Sequence, residues 1–320
     1  MTTPLFIDRA FIEENTNYPK LINTLDEAFR SNRIKTPDRN HYNYESNQES
    51  SDSTLLIMPA WENQLDIGIK LITVNSDNPL EGRPSIQGLY ILINAKTGVP
   101  EVIIDAPALT NKRTAGASAL ASRYLSREDT STLLMIGTGQ LIPDLISAHC
   151  SIRPIKNVLI WGRSYFKAKE LVKKIDYLDI DIKAIEHLNQ ALPKADLISS
   201  ATTAIDPIIF GRSIFAGQHI DLVGSFKPSM READDALIQK ASIYVDTVEM
   251  APKESGDLFI PLENGILTLN KIKGDLFDLC SANIGARKNQ EEITLFKSVG
   301  LALEDLAAAR YYYDKFKSNV

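Results

Sequence analysis

Between residues 65 and 104 the apolar positions come in short β-rich runs, IGIKLITV, GLYILIN and PEVIID, broken by turn residues that include Gly82, Pro84 and Gly98. This spacing predicts a largely antiparallel sheet. Just upstream, the polar stretch NYESNQESSDS at 43–53 precedes the apolar LLIMP at 55–59 and reads as a surface loop between strands. The pattern changes at TNKRTAGASALASRYLSR, residues 110–127, where alanine and other small residues dominate. Such a composition favours a helix that packs closely against a neighbour.

Beyond it, apolar stretches alternate with amphipathic ones: LLMIG at 133–137, VLIW at 158–161, DIKAI at 181–185, DLISSAT at 196–202, HIDLVGS at 219–225 and SIYVD at 242–246. Strands alternating with helical patterns indicate βαβ units and a parallel sheet covered on both faces. The expected fold class is therefore α/β, a doubly wound Rossmann sheet beside an α+β N-terminal domain. The tail, 291–315, reads as one long helix added after the Rossmann pattern is complete, and we expect it to return to the first domain. Residues 1–118 and 295–320 are then a substrate-binding and dimerisation domain, and 119–294 the dinucleotide domain.

The run LLMIGTGQLIPDLI places Gly137 and Gly139 directly after a strand and just before a helix. In that context the first glycine permits a tight turn, the second lets the backbone approach a pyrophosphate, and the helix N-terminus faces the anion. Gly137, Thr138, Gly139, Gln140 and Leu141 are thus the candidate pyrophosphate loop. The third fingerprint position is Ile142 where a small residue is usual, and Pro143 suits an early helical position that has no N–H bond to lose.

At the end of the second strand, Gly162, Arg163 and Ser164 stand where an NAD-binding chain places an acid against the ribose hydroxyls. A guanidinium and a hydroxyl, with Lys167 one helical turn later, instead suit a 2′-phosphate. The expected cofactor is NADPH, with NADH a weaker alternative.

Composition narrows the partners. A length of 320 residues suits two domains, and 44% apolar content supports full cores. A net charge of −6 argues against an extended nucleic-acid surface. No apolar run approaches the ~18 residues of a membrane span, and Asp8 and Arg9 fall where a signal peptide would need an apolar core. A cytoplasmic location is expected. Cys150 and Cys280 lack CxxC spacing and read as buried structural thiols, and the four scattered histidines give no metal site.

Several segments together resemble the ornithine cyclodeaminase and mu-crystallin family: MPA at 58–60, GIKLITV at 68–74, TGVP at 97–100, LTNKRTAGASALASRYL at 109–125, IGTG at 136–139, VGSFKPSMREADD at 223–235, SGDL at 255–258 and ITLFKSVGLALEDLAAA at 293–309. The resemblance spans essentially the whole chain. It implies a homodimer whose N-terminal domain and C-terminal helix form the interface and substrate half. It further implies carboxylate-binding cations at Lys70 and Arg113, with Arg39 a third, and cofactor contacts near the nicotinamide from Thr202, Val223, Gly224 and Ser298. Asp305, on a helix returning to the first domain, would orient Lys70 or an iminium nitrogen. The acids Glu232, Asp234 and Asp235 are expected to charge the start of a helix.

The family's cyclodeaminases carry an acid/base Asp where this chain has Phe226, and a Glu near the distal amino group where it has Leu56. Phenylalanine cannot move a proton, and an apolar pocket would bury ornithine's ammonium unpaired, at a cost. The expected reaction is therefore NADPH-dependent reduction of a small cyclic imino acid, such as Δ1-pyrroline-2-carboxylate to L-proline or its six-membered homologue. Lys70 would hold the carboxylate and relay the imine proton, and Phe226 would face the ring. Hydride transfer to a protonated iminium needs little further acid catalysis. The alternatives are a cyclodeaminase-type lyase with bound NAD and a non-enzymatic, NADPH-dependent binding protein of the mu-crystallin kind.

Overall fold

The structure, a computed structural model, describes residues 3–45, 53–75, 77–175, 178 and 180–319. Most of the polar stretch 43–53 lies outside the described residues. The chain divides into two compact units, residues 1–113 with 301–320 and residues 114–300.

The first unit is built on a six-stranded sheet of β1 (Leu5–Ile7), β2 (Asn40–Tyr44), β3 (Ser53–Glu62), β4 (Asp66–Val74), β5 (Ile86–Asn94) and β6 (Pro100–Asp105), in the order β1-β6-β5-β4-β3-β2. All neighbours are antiparallel except β1 on β6. Strand periodicity sends alternate residues to opposite faces, so Met58, Ala60, Gly68, Lys70, Ile72, Tyr90 and Leu92 are all buried on one side. The C-terminal helix Ala302–Asn319 covers that side. Gly68 is required there, because an added Cβ would fall 1.8 Å from the Tyr90 hydroxyl and 3.0 Å from Leu306. The opposite face carries Ile57, Ile67, Ile69, Leu71, Leu89 and Ile91, apolar residues left partly or largely exposed.

The described residues of the second unit form an eight-stranded sheet: β7 (Thr132–Ile136), β8 (Asn157–Trp161), β9 (Asp181–Ile185), β10 (Leu197–Ser200), β11 (His219–Leu222), β12 (Ser242–Val245), β13 (Ile272–Asp275) and β14 (Thr294–Lys297). Their order is β13-β12-β14-β11-β10-β7-β8-β9, with every pair parallel. The connections reverse direction between β7 and β10, the topological switch point at which open α/β sheets bind ligands. The helix Ala106–Leu125 carries the chain from the first unit into the second.

One expectation fails at the tail, which is not a single helix from 291 to 315. Residues Thr294–Lys297 form β14, inserted between β11 and β12, and the helix starts only at Ala302. A four-residue strand buried on both faces is a short apolar run that periodicity cannot separate from buried helix. Gly300, at φ 83°, then breaks the backbone before the helix. β14 is bonded on both sides within the second sheet, so the second unit runs on to Gly300; at its other end the units part at 113/114. Of the two cysteines, Cys280 is buried, whereas Cys150 is only half-buried. Among the described residues no helix is long and apolar enough to cross a membrane.

Candidate active site

In the second unit the candidate cofactor residues, apart from Lys167 in the helix Tyr165–Lys174, follow the last residues of parallel strands. Gly137 to Leu141 follow β7, Arg163 and Ser164 follow β8, Thr202 follows β10, Val223 and Gly224 follow β11, and Ser298 follows β14. They therefore share the carboxyl edge of the sheet.

The loop after β7 has the shape a dinucleotide needs. Gly137 sits at φ 131°, where a side chain is strained, and an added Cβ would lie 2.7 Å from the Ala201 carbonyl across the switch point. At Gly139 an added Cβ would meet nothing within 4 Å, so its absence leaves open space over the start of helix Ile142–Cys150. Ile142 is fully buried, and its Cδ1 lies 3.2 Å from the Gly137 Cβ position, filling the space beneath the turn. Gly162 gives way to Thr138, whose methyl would stand 2.6 Å from an added Cβ. Arg163 and Lys167 are exposed, and Ser164 caps the helix Tyr165–Lys174 by accepting from the Lys167 N–H at 3.3 Å. The cradle fits a dinucleotide: an open glycine, a helix N-terminus and a basic edge converge on it.

The first unit holds a buried charge cluster. Lys70 on β4 is 3% exposed and its Nζ donates to Asp305 Oδ2 at 2.6 Å. Arg113 donates through Nε to Asp305 Oδ1 at 2.9 Å and through Nη1 to Glu304 Oε2 at 2.6 Å. Asp305 thus forks between the two cations, in the first turn of the terminal helix. Burial would raise the Asp305 pKa, but Arg113 and Lys70 outweigh it and hold the carboxyl below its usual range. For Lys70, burial dominates and lowers the ammonium to about 8, with Arg113 and Arg39 adding to the fall and Asp305 opposing it. Arg39 therefore lies close enough for its charge to reach both groups.

Tyr90 stands directly across from Lys70 in the β4–β5 ladder, and burial, with Asp305 adding, pushes its hydroxyl well above its ordinary value. Leu56 shares the inward face, its register partner being Ile72. Phe226 belongs to the second unit and is 47% exposed.

Two features differ from the sequence reading. Glu232 does not charge a helix start: it is buried and accepts from Ser200 and Thr202, while Asp234 caps Asp235–Lys240 through the Leu237 N–H at 2.9 Å. Glu304, beside Asp305, holds Arg113, a role whose only mark in the sequence is the pair of adjacent acids in LALEDLAAA.

A sequence profile of the ornithine cyclodeaminase/mu-crystallin family matches residues 3–320. The chain belongs to that family. A Δ1-pyrroline-2-carboxylate reductase of Paracoccus denitrificans is 36% identical over 259 residues, 81% of this chain and 82% of its own. Among solved structures, the Δ1-pyrroline-2-carboxylate reductase of Thermococcus litoralis, in complex with NADH and L-proline, superposes with a TM-score of 0.90 at 31% identity, covering 98% of both chains. An archaeal alanine dehydrogenase dimer with bound NAD gives the same TM-score at 26% identity over 99% of this chain and 97% of its own.

Proposed function

We propose that this chain reduces a cyclic imino acid, Δ1-pyrroline-2-carboxylate in the first place, with a reduced nicotinamide dinucleotide. It is an oxidoreductase of the family's imine-reducing branch that uses a nicotinamide cofactor. The observation that carries the substrate reading is the Asp305 fork, which holds Lys70 and Arg113 in fixed positions inside a desolvated cluster.

Paired cations of this kind suit an α-carboxylate, because charge-assisted hydrogen bonds from two fixed donors orient as well as bind. Their charge also stabilises the iminium's carboxylate neighbour without moving during the reaction. Lys70, lowered to about 8, is mostly protonated at neutral pH yet can release its proton readily, so it suits relay to the ring nitrogen. Asp305 keeps the ammonium form populated, and Glu304 stops the Arg113 fork from rotating. When bound, the dihydronicotinamide supplies the hydride; the Gly137–Leu141 loop would hold the pyrophosphate, and Thr202, Val223, Gly224 and Ser298 would flank the nicotinamide. Phe226 and Leu56, where cyclodeaminases carry carboxylates, supply no group for expelling ammonia, so the reductase reading is favoured over the lyase one.

For the adenosine end, Arg163 with Lys167 favours a 2′-phosphate, and we assign NADPH as the preferred cofactor with NADH weaker. For assembly, the outer face of the first sheet supports a homodimer. Ile57, Ile69, Leu71, Leu89 and Ile91 lie side by side across β3, β4 and β5, where a solvent-facing antiparallel sheet would be polar. Loss of reduced-nicotinamide absorbance on adding Δ1-pyrroline-2-carboxylate, with L-proline as product, tests the reading; no turnover with either cofactor would remove it.

A further inference from the structure

Beneath the loops at the carboxyl edge of the second sheet lies a buried group of charges that the reaction as described does not use. Lys297, the last residue of β14, is fully buried and donates through Nζ to the Gly224 carbonyl, 3.7 Å from Asp257 Oδ2. Asp257, at the start of helix Gly256–Glu263, accepts through Oδ1 from the backbone N–H groups of Glu232 and Ala233 at 2.7 and 2.9 Å. Glu232, also fully buried, accepts through one oxygen from Ser200 Oγ at 2.6 Å and from both the N–H and the hydroxyl of Thr202 at 2.8 Å. One cation and two carboxylates therefore tie together the segments that follow β10, β11 and β14.

The packing is tight. An added Cβ at Gly224 would stand 2.3 Å from the Thr202 carbonyl and 2.6 Å from the Glu232 carboxyl. Next to it, Ser225 adopts a left-handed φ of 50° and is held by bonds to the Met230 carbonyl at 2.5 Å and Ser255 Oγ at 3.2 Å. Oε1 of Glu232 and Oδ1 of Asp257 take all the hydrogen bonds these carboxylates make, and each bond joins the carboxylate to a segment other than its own, so the segments are held against one another.

We propose that Lys297, Glu232 and Asp257 form a buried positioning triad that fixes Thr202 and Gly224, and so sets the seat of the nicotinamide ring; this rests on the reading above that those two residues flank the ring. None of the three need touch the cofactor. The groups facing Glu232 are Lys297 from β14, Asp257 from its helix, and Ser200 and Thr202 from the end of β10. Burial raises the Glu232 carboxyl to about 7, Lys297 opposing and Asp257 adding. Its charge is consequently sensitive to small changes in this network.

The test compares NADH with ADP-ribose, which shares every part of NADH except the nicotinamide. Affinities for both are measured on the wild-type protein and on Glu232→Gln, which keeps the side chain's shape. The triad predicts that Glu232→Gln lowers the ratio of NADH to ADP-ribose affinity about tenfold while ADP-ribose binding stays unchanged. If both affinities fall together, or neither changes, the triad has no positioning role. Should Glu232→Gln fail to fold, Ser200→Ala must show the same selective loss at about threefold, and its absence overturns the proposal. A wild-type protein that binds NADH no better than ADP-ribose would remove the nicotinamide assignment itself, and the triad with it; a normal wild-type ratio that survives the substitutions removes the triad alone.

Discussion

Replacing Asp305 by Asn keeps the side chain's shape but removes the charge that Lys70 and Arg113 share. The amide can accept from one cation; its NH2 then faces the other as a donor against a donor. A hydrogen bond to a charged group contributes ~1.5–3 kcal/mol, so losing one bond and weakening the other removes about 2–3 kcal/mol of orientation in the transition state. At ~1.4 kcal/mol per tenfold, kcat/KM should fall roughly 30- to 150-fold. Breaking a buried ion pair destabilises a fold by about 3–5 kcal/mol, but Lys70 can relieve its isolation by releasing its proton, which places the stability loss near the lower end. The sign of the pH effect follows from the same charge. Asp305 is the group that raises the Lys70 pKa against burial, so without it the pKa must drop below about 8. If the ammonium form is the active one, kcat/KM of the wild type declines as pH rises through about 8, and in Asp305→Asn the decline moves to lower pH. Steady-state reduction of the cyclic imine across pH 6 to 10, beside thermal melts, measures both. A variant with an unmoved limb and less than a threefold loss would refute the assignment of Lys70 and Asp305 as a working pair.

Five further outcomes follow from the geometry. Arg163→Asp should reverse an NADPH preference in favour of NADH, and equal wild-type affinities for the two would contradict the 2′-phosphate reading. Gly137→Ala should lower the melting temperature, since φ 131° and a 2.7 Å approach to the Ala201 carbonyl leave no room, whereas Gly139→Val should weaken NADH binding at least tenfold with little change in melting. Leu71→Lys, on the outer sheet face, should shift light scattering from dimer to monomer; a wild type already monomeric at micromolar concentration would remove the interface. Phe226→Ala should change the preference between five- and six-membered rings more than the rate, and a complete loss of turnover would show that Phe226 does more than shape the pocket.

The strand, glycine turn and helix at 132–150 were legible because they occur in one short run, and Gly137 has a local steric reason. Lys70 entered through the family resemblance of GIKLITV, and its burial goes with the alternation that also buries Gly68 and Ile72. What escaped depends on partners distant in sequence. β14 is four residues whose neighbours, β11 and β12, lie some fifty to seventy residues upstream, so nothing local marks ITLFK as a central strand. Glu232 sits in READD, where a helix follows, and only the approach of Ser200 and Thr202 distinguishes it from Asp234, the actual cap. Glu304 and Asp305 are adjacent acids that sequence cannot rank, and both prove to be buried against Arg113.

Purified protein given Δ1-pyrroline-2-carboxylate with NADPH or NADH should form L-proline at the expense of reduced cofactor, and given L-ornithine with NAD it should release no ammonia. Ammonia released from ornithine, with no turnover of the cyclic imine, would contradict imine reduction as its function.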